Sequence, residues 1–150
     1  MTGEILLGNN SASFPFYDDI HVRFRDVDAM GHVNNAVYFT YMETVRSVYF
    51  RQFFDIEQPG DIPVILGETS CRYLAPVYFG ETVRVWLGVS RFGNKSFEMV
   101  YRIEGGDGRL VASGQSTMVM YDYDQRVSVP VPESFKEAVR ALQGEWKPPV

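Results

Sequence analysis

Two aspartates, Asp26 and Asp28, stand just before a Gly-His-Val-Asn-Asn loop and a long aromatic-rich segment. Residues 22–35 read Val-Arg-Phe-Arg-Asp-Val-Asp-Ala-Met-Gly-His-Val-Asn-Asn. Val22 and Phe24 alternate with Arg23 and Arg25, a strand pattern, and an apolar helix is predicted from near Ala36. This order sets a carboxylate beside the free N–H groups of a helix start. Those groups carry partial positive charge and can hold an oxyanion. A carboxylate facing such amides is a minimal hydrolytic site for an activated acyl group.

Each residue also has a structural reading. Asp28 could be a helix N-cap or a turn carboxylate, since Asp favours both roles. Asp26 points the same way as Asp28 if the segment is extended, and a structural pairing with Arg23, Arg25 or loop amides is expected for it. Two nearby acids can suggest a metal, but no third ligand follows at suitable spacing, so a metal-free site is expected. Gly31 is read as supplying a backbone conformation closed to other residues. His32 is expected to fix the turn by hydrogen bonds or to touch substrate, Asn34 to cap the helix, and His21 to sit on an exposed strand face.

Glu43 falls two turns into the helix and three residues before Arg46, a spacing that permits an ion pair. An acid on a mostly buried helix is costly unless paired, so that pair is expected, with Glu43 as catalyst the alternative. Cys71 lies inside a strand pattern, and neither histidine has a nucleophile beside it. Nothing supports a Ser–His–Asp or Cys–His site.

The elements that must position these groups follow from periodicity. A first strand is expected over residues 19–25 after an irregular N-terminal arm, 1–16. From Ala36 to about Phe54 the pattern is helical, with apolar residues over most of the circumference, as in a helix buried on nearly all sides. Strands are expected over Ile62–Leu74, Thr82–Phe92, Lys95–Glu104 and Arg109–Tyr123, punctuated by Gly93-Asn94 and by Gly105-Gly106-Asp107-Gly108. Pro130 and Pro132 precede a short amphipathic helix, Glu133–Leu142. Sequential hairpins imply an antiparallel sheet with the large helix against it. The fold class is α+β, a curved antiparallel sheet wrapped around one long central helix. The domain is expected over residues 17–143, with a tail over 144–150.

Composition narrows the function classes. Of 150 residues 45% are hydrophobic and 22% charged, which fits an ordinary globular chain. A formal charge of −5 argues against a general nucleic-acid surface. The single cysteine excludes an internal disulfide and fits a reducing compartment. No apolar run approaches the roughly 20 residues needed to span a bilayer, and no signal-peptide pattern opens the chain. A cytoplasmic protein without membrane partners is expected.

The block Asp26-Val-Asp-Ala-Met-Gly-His-Val-Asn34-Asn35 before an aromatic helix resembles the signature of hotdog-fold thioesterases, most closely the 4-hydroxybenzoyl-CoA thioesterase-like acyl-CoA thioesterases. Acyl-ACP thioesterases carry a similar block. Tyr73-Leu74-Ala75-Pro76-Val77-Tyr78-Phe79-Gly80-Glu81 and Gly93-Asn94-Lys95-Ser96-Phe97 extend the resemblance across residues 20–122. It implies hydrolysis of a fatty acyl or aryl acyl thioester, with Asp28 as the carboxylate and the Asn35 amide, or that of Asn34, polarising the carbonyl. Asp28 would attack directly or deprotonate a water. Gly31, His32 and Asn34 would shape the substrate site. Arg91, Lys95 and Ser96 are candidates to meet coenzyme A phosphates, a solvated turn being the alternative, and Ile62–Gly67 could line the acyl tunnel or belong to the core. No cofactor is expected beyond coenzyme A as part of substrate and product. The family's dimers and tetramers imply a homo-oligomer, a dimer of dimers with active sites between subunits. Carrier-protein thioesters, a non-catalytic acyl-CoA-binding domain and a hotdog dehydratase are the alternatives.

Overall fold

The computed structural model of the chain describes residues 4–5 and 14–149. Most of the N-terminal arm expected over residues 1–16 therefore lies outside the described residues. Among the described residues seven strands form: β1 (Glu4–Ile5), β2 (Phe16–His21), β3 (Val64–Tyr73), β4 (Thr82–Phe92), β5 (Ser96–Glu104), β6 (Leu110–Asp122) and β7 (Val127–Ser128). The sheet order is β1-β2-β4-β5-β6-β3, with β7 pairing β6, and every pairing is antiparallel. Register shifts at Leu66/Glu68, Val89/Arg91 and Ile103/Glu104 interrupt the ladders. Such bulges raise the local twist and bend the strands.

Helix α1 (Val37–Phe50) is shorter than the expected Ala36–Phe54. Beyond Phe50 the chain tightens into turn bonds, Gln52 N–H to the Tyr49 carbonyl at 3.2 Å and Phe53 N–H to the Phe50 carbonyl at 3.0 Å. The helix packs on β2, β3 and β4. Tyr38, Tyr41, Met42, Val45, Tyr49 and Phe50 are buried with Leu87, Phe97, Met99 and Ile103 from the sheet in one cluster. Each such side chain contributes ~1.5–3 kcal/mol of transfer free energy. Gly114 of β6 makes room for the helix, since a Cβ there would meet the Met42 sulfur at 2.5 Å. The helix is not buried on all sides, however. Thr40, Glu43 and Thr44 form an exposed stripe, and the Thr44 hydroxyl donates back to the Thr40 carbonyl.

Helix α2 (Glu133–Gln143) matches the expected amphipathic segment. Phe135 is its apolar anchor, with rings of Phe53, Phe54, Phe92 and Phe97 at 5.2–6.1 Å. Strands β3 to β6 lie within two residues of their expected bounds, but the first strand differs. Strand β2 ends at His21, and Phe24–Asp26 is a 3-10 turn. The Asp26 carboxylate causes the change by accepting the Arg23 backbone N–H at 2.9 Å and curling the chain. Alternation over Val22–Arg25 imitated a strand that hydrogen bonding three residues apart overrode.

Candidate active site

After the 3-10 turn the chain reverses through residues 27–34. Val27 and Val33 form an isolated antiparallel bridge. Asp28 N–H donates to the His32 carbonyl at 3.2 Å, and Gly31 N–H to the Asp28 carbonyl at 3.0 Å. Gly31 sits at φ +88°, the left-handed region expected of it. Val33 N–H reaches the Val77 carbonyl at 2.8 Å, tying the loop to the segment after β3. His32 places Nδ1 3.3 Å from the Val33 carbonyl, a turn contact of the expected kind.

The two aspartates diverge. Asp26 is only 2% exposed. Its carboxylate accepts from the Arg23 N–H, from the Arg23 guanidinium at 3.0 Å and from the Tyr41 hydroxyl at 2.8 Å. Burial works against its charge, but the Arg23 N–H, the guanidinium and the hydroxyl prevail and hold the carboxyl below the usual carboxylate range. The expectation that both acids point the same way is thus corrected, because the segment is turned rather than extended.

Asp28 is half-buried at the loop surface. Oδ1 accepts the Met30 N–H at 2.9 Å, the turn bond that Asp often makes, and Oδ2 accepts from Asn34 Nδ2 at 3.0 Å. Each oxygen keeps a lone pair for another partner. The other end of the Asn34 amide, Oδ1, accepts the Ala36 N–H at 2.9 Å at the start of α1. One side chain therefore braces the carboxylate against the helix start.

The two asparagine amides also separate. Asn34 N–H is taken by the Asp26 carbonyl at 2.9 Å. Asn35 N–H has no acceptor among the described residues, so it is the donor left open ahead of the helix. The Asn35 carbonyl accepts the Tyr73 hydroxyl at 2.7 Å. The peptide joining Asn35 to Ala36 is thus held at both ends, by Tyr73 and by Asn34. Burial and the neighbouring Cys71 push the Tyr73 hydroxyl pKa up, which keeps it a donor. Tyr73 received no role from the sequence. The pairing of β3 with β6 and the edge-on packing of its ring against Tyr38 of α1 bring it to the helix start, and no local signal announces that.

Other candidates lie apart. Arg91, Lys95 and Ser96 surround the β4–β5 hairpin, where the Ser96 carbonyl accepts the Gly93 N–H at 2.7 Å and Arg91 approaches Glu98 at 3.9 Å. No hydrogen bond or ion pair joins them to the 26–35 loop among the described residues. His21 is exposed, with Nδ1 2.8 Å from the Thr82 hydroxyl. Glu43 is exposed and does not pair with Arg46, which is 6% exposed and donates to the Tyr101 hydroxyl at 3.1 Å. The arginine turns inward to buried hydroxyls while water solvates the acid, which corrects the expected ion pair. Among the described residues no three His, Cys, Asp or Glu side chains gather as metal ligands would.

Comparison with known proteins identifies the family. Residues 22–139 match the profile of the thioesterase-like superfamily. A 1,4-dihydroxy-2-naphthoyl-CoA hydrolase from Thermosynechococcus vestitus is 31% identical over 124 residues, 74% of this chain and 80% of that protein. A thioesterase from Thermus thermophilus, complexed with coenzyme A and Zn, matches with a TM-score of 0.80 at 32% identity, covering 89% of this chain and 98% of that one. A thioesterase superfamily structure from Jannaschia sp. gives 0.78 at 28%, covering 89% and 86%. The chain belongs to the thioesterase-like superfamily and is a thioester hydrolase with the hotdog fold.

Proposed function

We propose that this chain hydrolyses an acyl-CoA thioester to the free acid and coenzyme A, with Asp28 as the reacting carboxylate and the Asn35 N–H as donor to the carbonyl oxygen. The observation that carries this reading is the Asn34 side chain, which binds Asp28 and the helix start at once. A thioester is already activated. In one route an Asp28 oxygen bonds to the acyl carbon, the carbon–sulfur bond breaks and coenzyme A leaves as thiolate, after which water hydrolyses the mixed anhydride. In the other, Asp28 takes a proton from a water that attacks the same carbon, the carbon–sulfur bond breaks, and coenzyme A leaves and takes up that proton as the thiol. Charge develops on the carbonyl oxygen in both routes, and an oriented donor there is worth roughly 3–4 kcal/mol of barrier.

The acyl group is proposed to be fatty or aryl, and the site to work without a metal or other cofactor. Gly31, His32 and Asn34 would shape the wall beside the reacting carbon, and Arg91, Lys95 and Ser96 would meet coenzyme A phosphates from a neighbouring subunit. What favours a homo-oligomer is β3, ten residues long at the sheet margin, whose outer edge is unpaired among the described residues. A dimer of dimers in the cytoplasm is the assembly proposed. Thioesters of an acyl carrier protein are the second reading.

Release of free thiol from a panel of acyl-CoAs, by the wild type and by Asp28→Asn, tests the proposal. Turnover by the wild type with a loss of roughly a hundredfold or more in the variant is expected. Equal turnover would remove Asp28 from the chemistry. Tight binding without turnover would turn the enzyme reading into an acyl-CoA-binding one.

A further inference from the structure

Arg46 is a cation in a position where a folded chain rarely leaves one alone. It is 6% exposed, and its hydrogen-bond partner is the neutral Tyr101 hydroxyl at 3.1 Å, itself 2.6 Å from the Ser116 hydroxyl. Among the described residues no carboxylate comes within ion-pair distance of it. A guanidinium carries five N–H donors and stays charged; no Arg46 nitrogen is among the buried atoms left without a partner, so the donors not bonded to Tyr101 reach solvent. A charge enclosed this far is screened less by water than one on the open surface.

The arginine also lines a cleft of about 400 Å³ between α1 and the β3 edge. Phe50, Val64, Leu66 and Met118 supply apolar walls, and Glu43 stands at the rim. Counting along α1 at 3.6 residues per turn, Phe39, Glu43, Arg46 and Phe50 fall within roughly a sixth of the circumference. The seven steps from Phe39 to Arg46 correspond to about 10 Å along the axis at 1.5 Å each. One stripe of the helix therefore runs from its first turn, which follows Asn35 in the chain, to an apolar cleft that holds a cation without a carboxylate partner among the described residues.

We infer that this cleft receives the far end of the acyl group and that Arg46 selects acyl thioesters bearing a carboxylate there. This rests on the hydrolytic site proposed above and names its substrate class. A carboxylate can take two guanidinium N–H groups side by side, and it supplies the counter-ion that the fold omits. The exposed Glu43 opposes an incoming anion weakly, because water screens a rim charge more than a buried one.

The test compares CoA thioesters of one chain length that end in a carboxyl, a hydroxyl or a methyl group. For the wild type, kcat/KM should fall in that order, with at least tenfold between carboxyl and methyl. In Arg46→Gln the carboxyl-to-methyl ratio should fall about tenfold, whereas Arg46→Lys should keep part of it. Glu43→Gln should raise the ratio by about threefold. A wild type that prefers the hydroxyl or methyl chain overturns the inference, as does a preference that survives in Arg46→Gln. Calorimetry with non-hydrolysable thioether analogues reads the cleft apart from the chemistry. Preference for the carboxyl analogue without hydrolysis of any thioester would overturn the hydrolytic reading and keep the cleft. Hydrolysis without preference would do the reverse.

Discussion

Asp26 and Asp28 are the same residue type two positions apart, and the fold gives them opposite circumstances. Asp26 is buried and commits its carboxylate to Arg23 and Tyr41. Asp28 is half-buried, accepts one bond on each oxygen and faces a loop whose next amide, at Asn35, has no acceptor among the described residues. A carboxylate that is buried and ion-paired within the chain stabilises structure and is closed to a substrate. One that is oriented but unsaturated can react. The difference comes from one 3-10 turn, which rotates the first acid inward and releases the second into the loop.

Substitutions at the two positions should therefore separate activity from stability. Asp28→Asn should cost a hundredfold or more in kcat, read by thiol release, with a thermal midpoint within about 2 °C of the wild type. Asp26→Ala should leave the Tyr41 hydroxyl and the Arg23 amide without acceptors. A loss of about 2–3 kcal/mol in urea unfolding is expected. If Asp28→Asn unfolds the protein and Asp26→Ala spares both stability and rate, the contrast is wrong.

Asn34→Ala sharpens the comparison, because it frees Asp28 and the helix start from each other while leaving both in place. Its kcat should fall about tenfold, with about 1 kcal/mol of stability lost at the helix start. Tyr73→Phe removes the hydroxyl that bonds the Asn35 carbonyl and should lower kcat severalfold with KM unchanged. An effect confined to stability would show that the hydroxyl does not position the amide.

Acid gives the smallest effect. The carboxyl pKa of Asp26 lies below its ordinary value in the folded state. A group of that kind contributes stability that is present above the unfolded pKa, about 3.9, and lost as pH falls through the lower folded value. Urea unfolding between pH 5 and pH 2 should therefore be less steep in its pH dependence for Asp26→Asn than for the wild type. A parallel decline in both proteins would locate the acid-sensitive group elsewhere.

Much of the scaffold was legible in the sequence. Gly93-Asn94 and the glycine cluster at 105–108 punctuate β4, β5 and β6 because turns demand those residues locally. Gly31 is readable for the same reason, since positive φ is a property of one residue. The stripe Thr40, Glu43 and Thr44 was hidden among the many rings of α1. The inward turn of Arg46 depended on the hydroxyl of Tyr101, 55 positions away in the sequence, and on Ser116 behind it. The 3-10 turn at Phe24–Asp26 was missed because short-range alternation and a backbone–carboxylate bond compete, and the pattern records only the first.

The sequence alone determined the order of elements, the hairpin turns, the family resemblance and the short list containing Asp28, Asn34 and Asn35, because each depends on spacing of a few residues. Tertiary structure decided which aspartate is buried, that Tyr73 reaches the helix start and, among the described residues, which asparagine amide stays open and that Arg46 lacks a carboxylate. Those outcomes depend on pairings between strands and a helix far apart in the chain. A hydrogen-bonding group is either taken or available only once every possible partner has been placed.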